Sequence, residues 1–275
     1  MKEDEKMKAV ITCAGLGSRL LPFTKELPKE MSPVFYQSKN GMQTKPLVQL
    51  IFENLFDAGI REFCFVGGKN RKIIESHFTP NDSKSDIMTP FYEKLTQSNI
   101  DWVTQNSPNG FGDAVRYAKS FVGSDNFILQ AGDVSTAPNE ISLIKELLDR
   151  INNFEADAVI SVKHVDDPKR HGIVTLLDEN KITDVCSAIE KPETPQTDLG
   201  IMPIYGFNSK IFDYLENILP GKNNEIQITD AIQKLVDAER KVMAIRVDDE
   251  EFWDVGTADA FWASLNKSHS LIEKI

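Results

Sequence analysis

The stretch Ala9-Val10-Ile11-Thr12-Cys13-Ala14-Gly15-Leu16-Gly17-Ser18-Arg19, continued through Lys25 and Lys29 to Val34, decides the fold. Ala9 to Cys13 is short, apolar and partly β-branched, the pattern of a parallel strand buried on both faces. It feeds directly into Gly15 and Gly17, which let the backbone turn sharply and present bare N–H groups to phosphate oxygens. Arg19, Lys25 and Lys29 follow along a loop punctuated by Pro22, Pro28 and Pro33. A structural turn has no use for such a series of cations, whereas a polyphosphate does. Ala14, Gly15, Gly17 and Ser18 are therefore read as a nucleoside triphosphate loop at the carboxyl edge of an α/β sheet, where such folds bind ligands. Neither common glycine loop fits. Leu20 stands where the dinucleotide fingerprint needs Gly or Ala, and the Gly-Lys-Ser/Thr of the Walker loop is absent.

Composition narrows the partners. The 275 residues suffice for one large α/β domain, and a net charge of −11 argues against nucleic acid or an anionic membrane. Anionic substrates then require local convergence of cations, with help from a divalent metal. Cys13, Cys64 and Cys186 show no Cys-x-x-Cys spacing and lie in apolar runs, which predicts buried free thiols in a reducing compartment. A charged first segment and the lack of a membrane-length apolar run predict a cytoplasmic protein.

Helix and strand patterns alternate to about Lys163, the mark of a mostly parallel doubly wound sheet. A helix is expected from Thr44-Lys45-Pro46 to Gly59, with the Thr hydroxyl as its cap. Asn70 is expected to start another, and residues 78–99 to form a polar surface excursion with one helix. Beyond Lys163 the strands Ile173 to Leu177, Lys181 to Ile189 and Ile201 to Phe207 lack long intervening helices, which predicts an antiparallel extension. Thr229 or Asp230 is expected to cap the helix that follows. A single domain over 1–275 is expected, with about 1–135 facing nucleotide and about 136–275 facing the second substrate.

Ala-Gly-Leu-Gly-Ser-Arg-Leu-Leu-Pro (14–22) followed by Pro-Lys-Glu-Met-Ser-Pro-Val (28–34) resembles the signature of the sugar-1-phosphate nucleotidylyltransferases, most closely the bacterial UTP–glucose-1-phosphate uridylyltransferase type. Further matches occur in the family's order over most of the chain. The resemblance implies a Rossmann-like mixed sheet and transfer of UMP from UTP to glucose 1-phosphate. It also implies Arg19 and Lys29 as catalytic cations on the triphosphate, and Gln105 and Gly110 at the pyrimidine. A glutamine amide matches both a carbonyl and an N–H of uracil. Asp133, after strand Phe127 to Ala131, and Asp254, in Phe252-Trp253-Asp254, match the family's Mg²⁺ positions. Few protein carboxylates are needed there, since phosphates and water complete the octahedron. Gly172, Glu190 and Lys191 match the sugar and sugar-phosphate contacts, while Glu251 reads as surface charge. A homo-oligomer is expected.

Several positions depart from the family. Asp113 stands where it carries His, and Asp198, Pro203 and Ile204 replace Asn, Gly and Arg in a wall near the sugar. A proline there belongs at a strand edge or bulge. The stretch Tyr36 to Gln43 reads as an insertion able to reshape the entrance or a subunit contact. dTTP or another hexose 1-phosphate stays open. A related glycosyltransferase would carry Asp-x-Asp, which Gly132-Asp133-Val134-Ser135 lacks. A silent sugar-nucleotide sensor would have lost the loop cations or carboxylates, all of which are present.

Overall fold

The structure, a computed structural model, describes residues 7–39, 41–68, 71–80, 86–136, 139–248 and 252–272. The expected starts of chain and helix at Met1 and Asn70, and the expected surface charge Glu251, lie outside them. In chain order the elements are β1 (Lys8–Cys13), β2 (Pro33–Ser38), β3 (Gly41–Pro46), α1 (Leu47–Asp57), β4 (Glu62–Gly67), α2 (Arg71–His77) and α3 (Thr89–Thr96). Then come β5 (Asn99–Thr104), α4 (Phe111–Arg116), α5 (Lys119–Val122), β6 (Phe127–Ala131), β7 (Val134–Thr136), α6 (Glu140–Asn153), β8 (Ala158–His164) and β9 (Gly172–Leu176). The chain continues through β10 (Ile182–Glu190), β11 (Leu199–Phe207), α7 (Ile211–Leu215), α8 (Ile228–Asp237), β12 (Val242–Arg246), β13 (Phe252–Asp254) and α9 (Ala258–Ile272).

Nine strands form one mixed sheet in the order β5-β4-β1-β6-β11-β8-β12-β10-β9. β1 pairs in parallel with β4 and β6, and β4 with β5, so four strand ends open on one edge. The expected antiparallel strands are present: β10 and β9 extend one edge of the sheet, whereas β11 is woven into its centre. β11 runs antiparallel between β6 and β8, at the centre. Its register shifts between Met202 and Tyr205, the bulge that Pro203 demands because it has no amide to donate. Alternate residues of β1 serve opposite cores: Ala9 and Ile11 pack on one face, Val10 on the other. Burial on both faces is why these strands read as unbroken apolar runs.

Four local expectations need correction. The helix after Pro46 begins at Leu47, whose N–H donates to Ser32 O at 3.0 Å, and no side-chain cap serves it. Thr44 instead pairs with Phe35 in the hairpin β2–β3, which takes up the insertion. Lys45 lies 3.8 Å over the Tyr36 ring and pairs with Glu53. The hairpin packs against α9 through Phe35, whose N–H donates to Ser268 Oγ at 3.2 Å. Residues 78–99 are anchored rather than wholly superficial, because Phe78 and Phe91 pack against Phe52. Cys13 and Cys64 are buried, but Cys186 is exposed, on the outward face of β10. No helix among the described residues is long and apolar enough to cross a membrane.

Asp157, just before β8, ties the second half together. Its buried carboxylate accepts from Arg240 Nη2 at 2.7 Å and Asn208 Nδ2 at 2.8 Å. Burial pushes its pKa up, but these hydrogen bonds and the charges of Arg240 and Lys210 outweigh that and hold it below the usual value. A depressed carboxylate contributes stability that is present above its unfolded pKa and lost as pH falls through the folded one. Asp157→Asn is therefore expected to cost roughly 1 kcal/mol at neutral pH, small because its cationic partners face solvent. Chemical denaturation at several pH values should show the difference from the parent shrinking below pH 3.8, the ordinary aspartate value.

Candidate active site

At the carboxyl ends of β1, β5 and β6 lies a cleft of about 430 Å³, within the range of small-molecule sites. The loop after β1 forms one wall, with Ala14, Gly15, Gly17, Ser18 and Arg19. Gly17 adopts φ 62°, and Thr24 Oγ1 closes the turn by donating to Gly17 O at 2.6 Å. Lys29 runs beneath this turn, with Nζ 3.1 Å from where a Cβ on Gly15 would stand, and donates to Asp133 Oδ2. Burial opposes the Lys29 ammonium, yet Asp133 and Glu30 outweigh it and hold its pKa above the usual lysine range. Glu30 also lines the cleft, and burial pushes its pKa up to about 7. Lys25 stays outside this cleft, exposed, 3.8 Å from Glu26.

Asp133 follows the last residues of β6, and a two-stranded ladder brings in its distant partner. Asp254 pairs with Val134 across β13–β7, and Val255 N–H donates to Asp133 O at 3.1 Å. A Cβ on Gly256 would lie 2.9 Å from Asp254 Oδ1, 3.4 Å from Arg19 Nη2 and 3.6 Å from Asp133 Oδ2, so the three groups converge on one point. Burial first, and then the Asp133 charge, pushes the Asp254 pKa up. Asp254, burdened by burial and by the neighbouring Asp133 charge, forms with it a donor set that a divalent cation would relieve. Among the described residues no cluster of three or more His, Cys, Asp or Glu side chains could hold a metal alone. The arrangement therefore suits a cation that shares its coordination with a phosphate ligand.

Gln105 and Gly110 form the wall at the end of β5, as the sequence expects. Gly110 has φ 112°, and a Cβ there would stand 2.6 Å from Ile226 O. The turn is pinned by Ile226 N–H to Asn109 O at 2.7 Å and Gly112 N–H to Ile226 O at 2.9 Å. Gly110→Ala is therefore expected to destabilise the fold by roughly 2–4 kcal/mol, since strain and backbone overlap act together. Denaturant titration measures this directly.

The opposite wall carries Lys191, whose backbone takes φ 44° as the chain leaves β10. Glu190 lies beside it, with Oε1 3.0 Å from Lys191 Nζ. Glu190 pairs with Gly172 across β10–β9, and a Cβ on Gly172 would stand 3.1 Å from Glu190 Oε2. The three expected second-substrate residues are thus neighbours; Lys191 lines the cleft, and Glu190 and Gly172 stand behind it. Thr229 is no helix cap. Its hydroxyl donates to Glu190 Oε2 at 2.7 Å, and no side-chain cap serves α8. Asp198, Pro203 and Ile204 do not line the cleft: Asp198 pairs with His164 on the surface and Ile204 is buried in the central sheet. Among the described residues the hairpin insertion contributes no wall either.

Sequence reasoning missed Glu225 and Gln227, which line the cleft and are joined at 2.9 Å. Their alternation with buried Ile226 and Ile228 is the period-two signal of an extended segment with one wet face.

A glycine loop with Arg19 and Lys29, two carboxylates and Lys191 now stand around one cleft at the sheet edge. A nucleotidyl transferase family model matches residues 8–270. The chain belongs to the nucleotidyl transferase family. It is 36% identical over 251 residues to the UTP–glucose-1-phosphate uridylyltransferase of Streptococcus pneumoniae, covering 85% of this chain and 81% of that one. Its fold is similar to a UDP-glucose pyrophosphorylase complexed with UDP-glucose, with TM-score 0.85, 24% identity and coverage of 98% and 100%. The UTP-bound UGPase from Acinetobacter baumannii superposes with TM-score 0.79 at 28% identity, covering 98% of this chain and 94% of that one. The mixed α/β architecture of this nucleotidyl transferase is thus that of the nucleotide-diphospho-sugar transferase structures.

Proposed function

We propose that the chain transfers a uridylyl group from UTP to glucose 1-phosphate, giving UDP-glucose and pyrophosphate. One observation carries the reading: Arg19 and Lys29 on one wall and Lys191 on the other line a single cleft, with Asp133 at its base. The uridylyltransferase name borne by relatives 36% and 37% identical to this chain supports the choice of substrates.

An oxygen of the sugar phosphate attacks the α-phosphorus in line. The bond to the bridging oxygen breaks, and pyrophosphate leaves with the electron pair. The nucleophile is already ionised, so no side chain need remove a proton. The protein's task is to bring two polyanions together and to stabilise charge as it redistributes. In this reading the loop amides from Ala14 to Ser18 cradle the triphosphate. Arg19 and Lys29 neutralise it and the departing pyrophosphate. Gln105 and Gly110 face the base. Lys191 grips the sugar phosphate, while Glu190, held by Thr229 and set beside Gly172, accepts from sugar hydroxyls. The first half of the chain thereby serves the nucleotide and the second half the sugar.

Asp133 and Asp254 are the residues that would hold Mg²⁺. When bound, that ion supplies Lewis-acid stabilisation of the phosphate oxygens. The charge it brings explains how a protein of net charge −11 accommodates two anions.

Pyrophosphate release tests the reading, measured across UTP, dTTP, CTP and ATP with glucose, galactose and N-acetylglucosamine 1-phosphates. UTP with glucose 1-phosphate is expected to give the highest kcat/KM. No release from any pair would contradict transfer chemistry, and preference for another pair would contradict the assigned substrates.

A further inference from the structure

Gln105 lines the cleft but is itself almost wholly buried, and its neighbours fix which way its amide faces. Its Nε2 donates to Asp113 Oδ2 at 2.7 Å and lies 3.3 Å from Gly110 O. A carboxylate and a backbone carbonyl are both acceptors, so only the NH₂ side of the amide can meet them. Turning the amide over would set three oxygens together in a buried site, at the full cost of unpaired polar groups. The Oε1 is therefore the side left to a ligand.

Asp113 sits in the first turn of α4, where an acidic residue is favoured by the helix dipole alone. That role would leave its carboxylate at the exposed helix end. Instead the residue is buried, with Oδ2 on Gln105 and Oδ1 4.0 Å from Arg116 Nη1. Arg116 is itself tied to Leu215 O and Ile218 O, so the arrangement is braced from α7 and the residues after it.

We propose that Asp113 is a positioning residue for base selection: it locks Gln105 with its carbonyl toward the cleft, so that the site takes a base presenting a ring N–H. Uracil and thymine present N3–H between two carbonyls, whereas N3 of cytosine and N1 of adenine are acceptors and would face Oε1 lone pair to lone pair. Buried hydrogen-bonding groups reject the wrong partner strongly, because mismatch leaves both sides unpaired. The proposal rests on the reading above in which Gln105 faces the base. It adds that the selectivity lies in the second residue, which the base need not touch.

Asp113→Asn tests it with little change of shape. An asparagine can either accept from or donate to Gln105, so it no longer fixes the amide; the turned form keeps only the conflict with Gly110 O, becomes populated, and offers Gln105 Nε2 to the base. The expected result is a fall of about tenfold or more in the UTP-to-CTP ratio of kcat/KM. The change should appear in KM, with kcat at saturating UTP within about threefold of the parent. In a Gln105→Leu background the same substitution should leave the ratio unchanged. Were D113N to keep the parental ratio, or to shift it equally without Gln105, the proposal would be overturned. N3-methyl-UTP, which lacks the N–H, gives a test on the parent protein that needs no folded variant. It should bind at least about tenfold more weakly than UTP, and equal binding would overturn the proposal. These outcomes are distinct from failure of the assigned reaction, in which the parent would release no pyrophosphate from UTP at all.

Discussion

Asp133→Asn is expected to lower kcat by roughly 10²–10³-fold while leaving the fold intact, the scale of losing one preorganised electrostatic group. The substitution preserves shape and keeps an oxygen for Lys29, which now donates to Asp133 Oδ2. The backbone at this position is secured independently, by Gly132 N–H to Thr12 O at 2.9 Å and Val255 N–H to Asp133 O at 3.1 Å. What disappears is one of the two negative charges facing Arg19 across Gly256. Steady-state kinetics should therefore show the loss in kcat, and it should not be recovered by raising either substrate. Thermal unfolding should stay within a few degrees of the parent. A variant turning over at the parental rate would remove Asp133 from the reaction.

Lys29→Met should cost roughly 3 kcal/mol of transition-state stabilisation, about 10²-fold in kcat/KM. Lys29 sits where the loop glycines, Asp133 and Glu30 meet, so it serves the fold as well as the ligand. Methionine keeps most of the side-chain volume but leaves Asp133 and Glu30 without their cation. Breaking a buried pair leaves an uncompensated charge, which destabilises the folded state. A lower midpoint of unfolding is thus expected alongside the kinetic loss. Added UTP should protect this variant less than it protects the parent, because ligand stabilisation scales with affinity. Equal protection of the two proteins would show that Lys29 does not meet the triphosphate.

The two residues argued above were legible because their chemistry is punctuated by the sheet itself. A strand ending in Gly-x-Gly or Gly-Asp announces a carboxyl edge, and parallel pairing brings such edges together. Pro203 was equally legible, since a proline inside a strand allows few positions and the bulge in β11 is one of them. The strand order was not. That β11 passes between β6 and β8 depends on pairings between residues far apart in the chain, such as Ile204 with Gln130 and Leu199 with His164, and no local pattern encodes them. The hairpin β2–β3 escaped for a different reason. Its apolar residues Val34, Phe35 and Tyr36 are consecutive and β3 is mostly polar, so it carries no alternating apolar face, and its stability comes from cross-strand pairs and from α9. Thr44 therefore looked like a helix cap although it was a strand residue. Thr229 was misread in the same way, since a hydroxyl at a helix start is usually a cap, and only the fold reveals Glu190 opposite it. Asp113 marks the limit of motif reading: the departure was visible, but its meaning required Gln105 at 2.7 Å.

The central claim is electrostatic. A few cations and a pair of carboxylates from distant parts of a net-acidic chain meet at one sheet edge so that two phosphate esters can approach. Anomalous scattering from crystals grown with UTP and Mn²⁺ in place of Mg²⁺ tests it most directly. The account predicts a manganese peak bounded by Asp133 and Asp254, with the triphosphate against Arg19 and Lys29. A peak elsewhere, or phosphates lying away from both cations, would contradict it.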